Sequence, residues 1–468
     1  MISPSLQARL RLRKGCSGGL GASGQGRPFD GGAMRRHGSA MHRCLILVLA
    51  ATILFGCSSK ESQKPSDEAP GEVVQSSKPR ITSPNVSIEE LVTLSGDNAD
   101  FAWAFYREII KPGENLFFSP HSLSIALAMT WAGARGTTET EMAEAMRFRL
   151  GQERLHVAFN GLDLELASRA EASGNEAPLP FVLNVTNALF GQLGFAFLDA
   201  FLDTLAQHYG AGMRLMDFIN ETEASRVAIN AWVSEQTNER IQELIAPGII
   251  TAATRLVLVN AIFFTASWEN PFDPADTEES AFRRLDGSEV QVPMMQQSLP
   301  TRYGAEGDLQ AAELPYDGAQ LAMLVIVPNQ GQFETVESQL TASRIDAIRG
   351  MLTEHQVDLA MPKFSYRSSV PAKAPLMSLG MVEAFSGAAD LSGMNGTGGL
   401  FIQDVVHQAF VAVDEEGTEA AAATAVIVGE TSAPPPATLT IDRPFMFAII
   451  DRPTGATLFI GRVLDPSA

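Results

Sequence analysis

The pattern of apolar and polar positions predicts helices mainly in the first half of the chain and strands mainly in the second. Phe101, Ala104, Phe105 and Ile109 follow helical spacing, which predicts an amphipathic helix over residues 97–110. Further helices are predicted over residues 122–132, 197–209 and 227–244. Apolar runs of strand length occupy residues 182–190, 256–264, 321–327, 357–361, 445–450 and 457–463. This order of elements, without a visible internal repeat, favours a mixed α+β fold in one large domain.

One segment, residues 414–436 (DEEGTEAAAATAVIVGETSAPPP), changes character along its length. Its alanine run tolerates a helix or an extended conformation, and the following Val-Ile-Val run favours a strand. Three prolines then favour an extended polyproline conformation. Every second residue is small or mildly apolar, a period that suits a crowded sheet, and this set comprises Thr418, Ala420, Ala422, Thr424, Val426 and Val428. The segment alone fits two interpretations: an exposed loop patterned to become a strand, or an alanine-rich surface helix followed by a linker.

The first 57 residues form a leader of different composition. They carry eight of the 34 Lys and Arg residues and one of the 54 acidic residues. The apolar run 44–55 predicts a signal-peptide core, too short to span a membrane stably. It ends in LFGCSS, which resembles a bacterial lipobox in which Phe55 is a bulky departure, so Cys57 is expected to be lipidated and to become the mature N-terminus. An ordinary signal peptide with an incidental cysteine is the alternative.

These features predict three parts: the leader over residues 1–57, a disordered tether over residues 58–87 and a folded domain over residues 88–468. The tether is rich in Ser, Pro, Glu and Lys and has few apolar residues. Translation is expected to start at Met34 or Met41. The folded domain has no disulfide, because all the cysteines belong to the leader, namely Cys16, Cys44 and Cys57. A lipid-anchored protein of the cell envelope is therefore expected, on the periplasmic or extracellular face.

Charge and motifs narrow the classes of function. The 34 basic against 54 acidic residues argue against a nucleic-acid interface, which needs a basic face. Beyond the leader the sequence has no G-x-S-x-G, H-E-x-x-H, Walker or C-x-x-C motif, so no enzyme activity, metal site or cofactor is predicted. The glycine-rich residues 396–399 do not follow a strand-to-helix pattern and are interpreted as a loop. His407 lies on an alternating strand, where a histidine taken alone is most simply a packed core residue.

Four blocks of the chain resemble the serpin family, in the family's order. Residues 115–146 (NLFFSPHSLSIALAMTWAGARGTTETEMAEAM) resemble its Ser-Pro-x-Ser turn and the long helix that follows. Residues 258–282 (LVNAIFFTASWENPFDPADTEESAF) resemble its Asn-x-x-x-Phe-x-x-x-Trp-x-x-x-Phe strand. Residues 415–424 (EEGTEAAAAT) resemble the hinge of inhibitory serpins, and residues 442–466 (DRPFMFAIIDRPTGATLFIGRVLDP) resemble the C-terminal hairpin. The blocks extend over residues 89–466, and the chain is identified as an inhibitory serpin in a bacterial lipoprotein form.

The resemblance implies the serpin fold, a single large domain with three β-sheets, about eight or nine helices and an exposed reactive-centre loop. It also implies a polar network beneath the central sheet, at the place where its strands part. The matching residues are Ser119, Ser122, Asn260 and His407. Trp268 matches the family tryptophan under the top of that gap. Since buried polar groups are normally paired, such a network lets strands open and close again.

The resemblance further implies an irreversible inhibitor that acts as a suicide substrate of serine proteases. Insertion of a serpin's reactive loop is an established example of strand addition, which follows cleavage of the loop. The hinge that would insert comprises Glu416, Gly417, Thr418, Glu419, Ala420, Ala421, Ala422, Ala423 and Thr424. Its small alternate side chains suit passage between strands already in place. The protein is expected to be monomeric.

The bond that is cut is expected about fourteen residues beyond Gly417, counted on the sequence, which points to Thr431–Ser432. Glu430–Thr431 is the alternative. Threonine before the bond favours an elastase-like or subtilisin-like protease, whereas glutamate favours a Glu-specific protease, and cysteine proteases are a further candidate. The competing function is a non-inhibitory serpin that acts as a binding module or chaperone, and a hydrolase that uses a surface serine is disfavoured.

Overall fold

The computed structural model describes residues 70–172, 182–418 and 434–468. Within these residues, nine α-helices have six or more residues and two are shorter, which is close to the expected number. The helices are α1 (Ile88–Ile109), α2 (Pro120–Trp131), α3 (Gly136–Met146), α4 (Gln152–Ala167), α5 (Arg169–Ala172), α6 (Asp199–Thr204), α7 (Thr222–Gln236), α8 (Phe333–Gln339), α9 (Ala342–Met351), α10 (Lys373–Ser378) and α11 (Ser392–Asn395). A π-helical segment, Leu205–Tyr209, continues α6.

Sixteen strands occupy the same described ranges. They are β1 (Glu72–Val74), β2 (Leu116–Phe118), β3 (Val182–Gln192), β4 (Met213–Met216), β5 (Leu256–Ser267), β6 (Glu278–Arg283), β7 (Glu289–Glu306), β8 (Leu309–Pro315), β9 (Leu321–Pro328), β10 (Thr353–Pro362), β11 (Phe364–Pro371), β12 (Ile402–Val413), β13 (Gly417–Thr418), β14 (Pro436–Thr440), β15 (Phe445–Asp451) and β16 (Thr457–Val463). The predicted α+β class is therefore confirmed.

Local signals explain where the two helices nearest the core begin. Helix α1 follows Ser87, whose side chain accepts a hydrogen bond from the Glu90 amide while the Glu90 carboxylate accepts one from the Ser87 amide. Helix α2 follows Ser119, with Pro120 at its first position, where the missing N–H costs nothing. Every residue of α2 is buried, as its apolar composition on all sides predicts.

Two helices have bounds that differ from the prediction. The helix predicted over residues 227–244 ends eight residues earlier, because Asn238 and Glu239 adopt positive φ angles of 48° and 62°. The first helix begins nine residues earlier than predicted, since Leu91 and Leu94 continue its buried stripe. Apolar periodicity thus located both helices, while backbone geometry and capping set their ends.

The described strands form two hydrogen-bonded sheets. The central sheet has seven strands in the order β1-β4-β3-β5-β13-β12-β11, and the second has nine, in the order β14-β10-β7-β8-β9-β15-β16-β2 with β6 beside β7. Three sheets were expected. The long strand β7 pairs with β6 over residues 289–294, with β10 over residues 294–303 and with β8 over residues 302–306, so two of the three expected sheets are continuous.

The core lies between these two sheets. Strands β9, β15 and β16 of the second sheet are buried at every position. Helix α2 contacts β16 on one side and β3 and β5 of the central sheet on the other. The start of α2 is consequently fixed directly beneath the middle of the central sheet, where the candidate site is found.

Residues 70–87 correct the prediction of a disordered tether over residues 58–87. Strand β1 pairs antiparallel with β4 at the edge of the central sheet. Arg80 donates to Asn160 Oδ1 at 3.0 Å and forms an ion pair with Asp163 at 2.5 Å, both on α4. The low apolar content misled the prediction because backbone pairing and polar contacts hold much of this segment, and only a few apolar residues, including Val74 and Val86, pack against the core. The remainder of the predicted tether lies outside the described residues.

Candidate functional site at the gap in the central sheet

The central sheet is divided between β5 and β12. Over residues 256–262 of β5 the two strands pair directly and in parallel. At their carboxyl ends β13 lies between them, and Thr418 is paired with Ala266 on β5 and with Val413 on β12. The gap therefore opens at one end of the sheet, and the first residues of the hinge occupy its mouth.

The two residues of β13 fit this position closely. A Cβ atom on Gly417 would overlap the backbone of Ala266, so a larger residue would displace β5. Thr418 is 1% exposed, and its hydroxyl lies 2.8 Å from the Tyr316 hydroxyl. The Tyr316 ring stacks on Trp268 with centroids 4.6 Å apart. Burial raises the pKa of Tyr316, which keeps the phenol protonated as a hydrogen-bonding partner for Thr418.

Trp268 holds the turn that leads from β12 into the hinge. Its amide donates to the Glu416 carbonyl at 2.8 Å, and its indole Nε1 donates to the Asp414 carbonyl at 3.0 Å. The Phe272 amide donates to the Glu415 carbonyl at 2.7 Å. Three successive carbonyls of the turn are thus bonded to the segment that follows β5. This places the predicted tryptophan at the mouth of the gap.

The acidic residues of this turn have contrasting environments. The Glu415 carboxylate accepts from Lys363 Nζ at 2.6 Å and from Thr277 Oγ1 at 2.8 Å. Burial alone would raise the pKa of Glu415, but these bonds outweigh it and the pKa is lowered. One carboxylate oxygen of Glu416 is buried without a hydrogen-bond partner in the described structure. Burial, together with the neighbouring Asp414 and Glu415, raises the pKa of Glu416.

The polar network lies farther down, where β5 and β12 still pair. His407 Nε2 accepts from the Ser119 amide at 3.0 Å, and its Nδ1 bonds to Asn260 Oδ1. Asn260 Nδ2 donates to Ser122 Oγ at 2.5 Å. All four residues are fully buried, and burial lowers the pKa of His407 to about 3. The neutral imidazole therefore donates through Nδ1 and accepts through Nε2, and the structure brings the four predicted residues into one cluster.

Asn187 on β3 belongs to the same cluster and was missed from the sequence. Asn260 Nδ2 also donates to Asn187 Oδ1, and the two residues are direct partners across β3 and β5. His407 is the direct partner of Asn260 on the other side. Three strands therefore contribute one polar residue each to a single row across the sheet. The only sequence signal for Asn187 was a polar residue inside the apolar run 182–190.

Several predicted site residues lie outside the described residues, and their roles stay predictions. They are the rest of the hinge (Glu419, Ala420, Ala421, Ala422, Ala423 and Thr424), the candidate cleavage residues (Glu430, Thr431 and Ser432) and Cys57. Within residues 70–172, 182–418 and 434–468, no cluster of three or more His, Cys, Asp or Glu side chains is placed to hold a metal ion. Nor does any helix in those ranges have the length and apolar character needed to cross a membrane.

The fold and the gap together define a large α+β domain whose central sheet admits the start of a hinge between two of its strands. The family model described as "Serpin (serine protease inhibitor)" matches residues 96–466. The chain belongs to the serpin family, as the sequence blocks predicted. The family is one of protease inhibitors, which agrees in general terms with the prediction that the chain is not an enzyme.

This chain matches known relatives over nearly their whole length. An uncharacterized serpin-like protein of Thermococcus kodakarensis is 36% identical over 446 residues, which cover 91% of this chain and 99% of the relative. The leukocyte elastase inhibitor of Sus scrofa is 37% identical over 384 residues, 80% of this chain and 99% of that protein. Human thyroxine-binding globulin, solved in complex with thyroxine, superposes with a TM-score of 0.70 at 32% identity, covering 81% of this chain and 99% of that one.

Proposed function

We propose that this serpin inhibits serine proteases irreversibly, as a suicide substrate whose cleaved loop inserts between β5 and β12. The observation that carries the proposal is the position of Thr418, which is already paired with both strands at the mouth of the gap. The alternating small residues that follow it then have a defined path, since the gap can extend only between these two strands.

Extension of the observed register supports a full-length inserted strand. Thr418 is paired antiparallel with Ala266, so each further residue of the loop would oppose the preceding residue of β5. Val428 would then oppose Leu256, the first residue of β5. Residues 417–428 therefore match the twelve-residue length of β5, and the β-branched run ends where that strand begins.

The same register gives the alternating residues their faces. Directly opposed residues of an antiparallel pair project to one side of the sheet. The partners of Val426 and Val428 would be Leu258 and Leu256, which both belong to the main core between the sheets. Burial of each valine is worth about 1.5–3 kcal/mol, and each added ladder hydrogen bond about 0.5–1.5 kcal/mol. The cleaved, inserted form is therefore expected to be much the more stable one.

Thr424 would reach the polar network in this register. It would oppose Asn260 on β5 and His407 on β12, and both strands give the same position. Those two side chains now bond to each other directly across the closed part of the gap. An inserted strand would separate them, and a threonine hydroxyl can both donate and accept in their place. An apolar side chain there would leave buried polar groups unpaired, which costs about 1–3 kcal/mol.

Insertion has to compete with the protease's own chemistry. The protease forms an acyl bond to the loop residue before the cut, and water then hydrolyses that bond unless insertion first carries the protease away. Insertion requires the direct pairing over residues 256–262 of β5 to open. The polar network crosses that seam through the bond between His407 and Asn260, so its strength is expected to influence the outcome.

The test is incubation with a panel of elastase-like, subtilisin-like and Glu-specific serine proteases, followed by a denaturing gel. A band at the summed mass that survives boiling supports the proposal, and clean cleavage without a complex contradicts it. Mass spectrometry of the released C-terminal peptide distinguishes Thr431–Ser432 from Glu430–Thr431. After cleavage by a protease that the protein does not trap, the melting temperature should rise by about 12 °C, because a gain near 10 kcal/mol is divided by an unfolding entropy of about 0.8 kcal/mol per kelvin for a domain of this length.

The second candidate is a non-inhibitory serpin that carries a small molecule. The likeness to thyroxine-binding globulin, solved with its bound hormone, is the observation that favours it. In that case the loop would be cut without formation of a covalent complex. The gel assay therefore separates the two candidates directly.

Attachment of Cys57 to lipid is proposed from the leader alone. Since residues 70–87 are packed on the domain, the free spacer would be shorter than the full predicted tether, about residues 58–69. We expect Cys57→Ser to move the protein from the membrane to the soluble fraction without loss of inhibition. A mutant still found with membranes would contradict lipid attachment at this residue.

A further inference from the structure

A cavity at the β11 edge of the central sheet is lined by none of the described hinge or network residues. It lies between the end of α1, the edge strand β11 of the central sheet and α10, and its volume is about 520 Å³. Volumes of 300–1,000 Å³ are typical of sites for small molecules. The cavity is therefore large enough for a ligand.

The floor and one wall of this cavity are apolar. The side chains that form them are Ile109, Ile110, Leu116, Val370, Pro375 and Met377. Ile109 and Leu116 are almost fully buried, whereas Met377 is 39% exposed, which is high for so large an apolar residue. The apolar surface thus runs from the core out to solvent. A ligand with a flexible apolar chain would cover it.

Charged residues lie at the rim. Arg367 is exposed and forms no hydrogen bond or ion pair with any other residue in the described ranges. Lys373 Nζ donates to the Gln403 carbonyl at 2.9 Å and keeps two further N–H groups. A free guanidinium offers paired donors in one plane, a geometry that matches a carboxylate. Three acids also line the cavity and would oppose an anion: Glu114, which pairs with Lys111, Asp404, which accepts from the Val405 amide, and Glu108, which has no described partner.

We propose that this cavity binds a medium- or long-chain carboxylate. The alkyl chain lies on the apolar floor beside Leu116 and Met377, and the carboxylate is bound at the rim by Arg367 with Lys373. This inference does not rest on protease inhibition, because none of these residues belongs to the gap, the hinge or the polar network.

Calorimetric titration of the purified protein with octanoate, decanoate and dodecanoate tests the site. We expect one carboxylate per protein and a dissociation constant that falls about fourfold for each added methylene, as apolar burial near 0.8 kcal/mol per CH₂ requires. No saturable binding, or an affinity independent of chain length, would overturn the proposal. Tighter binding of dodecylamine than of dodecanoate would also overturn it, since Glu108 would then set the preferred charge.

Variants locate the site. Arg367→Gln should weaken the binding of dodecanoate about tenfold, within the range for a charge-assisted hydrogen bond. It should leave the binding of 1-dodecanol unchanged. Glu108→Gln should tighten the binding of dodecanoate. Ala374→Trp, an exposed position on α10 that lines the cavity, should abolish binding of both compounds. Arg344→Gln, on α9 away from the cavity, is the matched control and should have no effect. Unchanged binding by both Arg367→Gln and Ala374→Trp would refute the location.

Discussion

Thr418→Arg should convert the protein from an inhibitor into a substrate. Thr418 is 1% exposed between β5 and β12 and bonds to the Tyr316 hydroxyl. Its replacement leaves the buried phenol without that partner, which costs about 1–3 kcal/mol. It also forces a guanidinium into a buried position between β5 and β12, where the penalty for an unpaired ion is several kcal/mol. The substituted hinge would therefore leave the mouth of the gap.

The effect on inhibition follows from the competition between insertion and hydrolysis. If about 3 kcal/mol of this penalty remains in the transition state for insertion, insertion slows roughly 100-fold. Hydrolysis of the acyl bond takes place on the protease and keeps its rate. An inhibitor whose insertion outruns hydrolysis by roughly tenfold would then trap only about one protease in ten encounters, by the same arithmetic.

The assay is the number of inhibitor molecules consumed per protease inactivated, together with the covalent band on a denaturing gel. Thr418→Glu should behave like Thr418→Arg, and it excludes rescue by the unpartnered carboxylate of Glu416. Glu419→Arg is the matched control, because alternation places its side chain on the opposite face of the strand. An unchanged stoichiometry with Thr418→Arg would refute either the assigned alternation or insertion itself.

Three further predictions concern the network and the turn. Thr424→Val should leave the native melting temperature unchanged but reduce the gain after loop cleavage, because Asn260 and His407 would lose a polar partner; equal gains would refute the register. Glu415→Gln should lower the native melting temperature by about 1 °C, since weakening a partly exposed ion pair costs about 1 kcal/mol; an unchanged thermal curve would contradict this. The folded-state pKa of His407, about 3, lies below its ordinary 6.5, so its contribution to stability is complete above pH 6.5 and is lost as pH falls toward 3. Between pH 7 and pH 5 the wild type should lose about 2 kcal/mol more than His407→Gln, and parallel pH profiles would exclude a neutral buried imidazole.

The sequence predicted which residues belong to the site better than it predicted which of them pair with one another. Alternation marked Thr418 as the first residue whose side chain faces the sheet, and the structure places that residue at the mouth of the gap. A period of two defines faces but not register. For that reason the pairing of Thr424 with Asn260 and His407 could be inferred only after Thr418 had been placed opposite Ala266.

Long-range polar contacts outside the network implied by the family resemblance were the part of the structure that the sequence could not provide. Glu415 and Lys363 are 52 residues apart, and nothing in local composition links them. Residues 70–87 have the composition of a disordered segment, yet Arg80 bonds to α4 and β1 pairs with β4. Apolar periodicity reports burial, so it is silent about segments that are held mainly through backbone and polar groups.

The pairing of β1 with β4 has a practical consequence for handling this protein. An unpaired sheet edge is a template for association with other chains, and a short edge strand limits that hazard. A fragment started at the first residue of α1 would remove β1 and leave β4 at the edge of the central sheet. Such a fragment would retain the whole family match, which begins at residue 96, and would still be prone to aggregate during expression. Recombinant forms without the leader should therefore begin before Gly71, which packs directly against Leu215 and Met216.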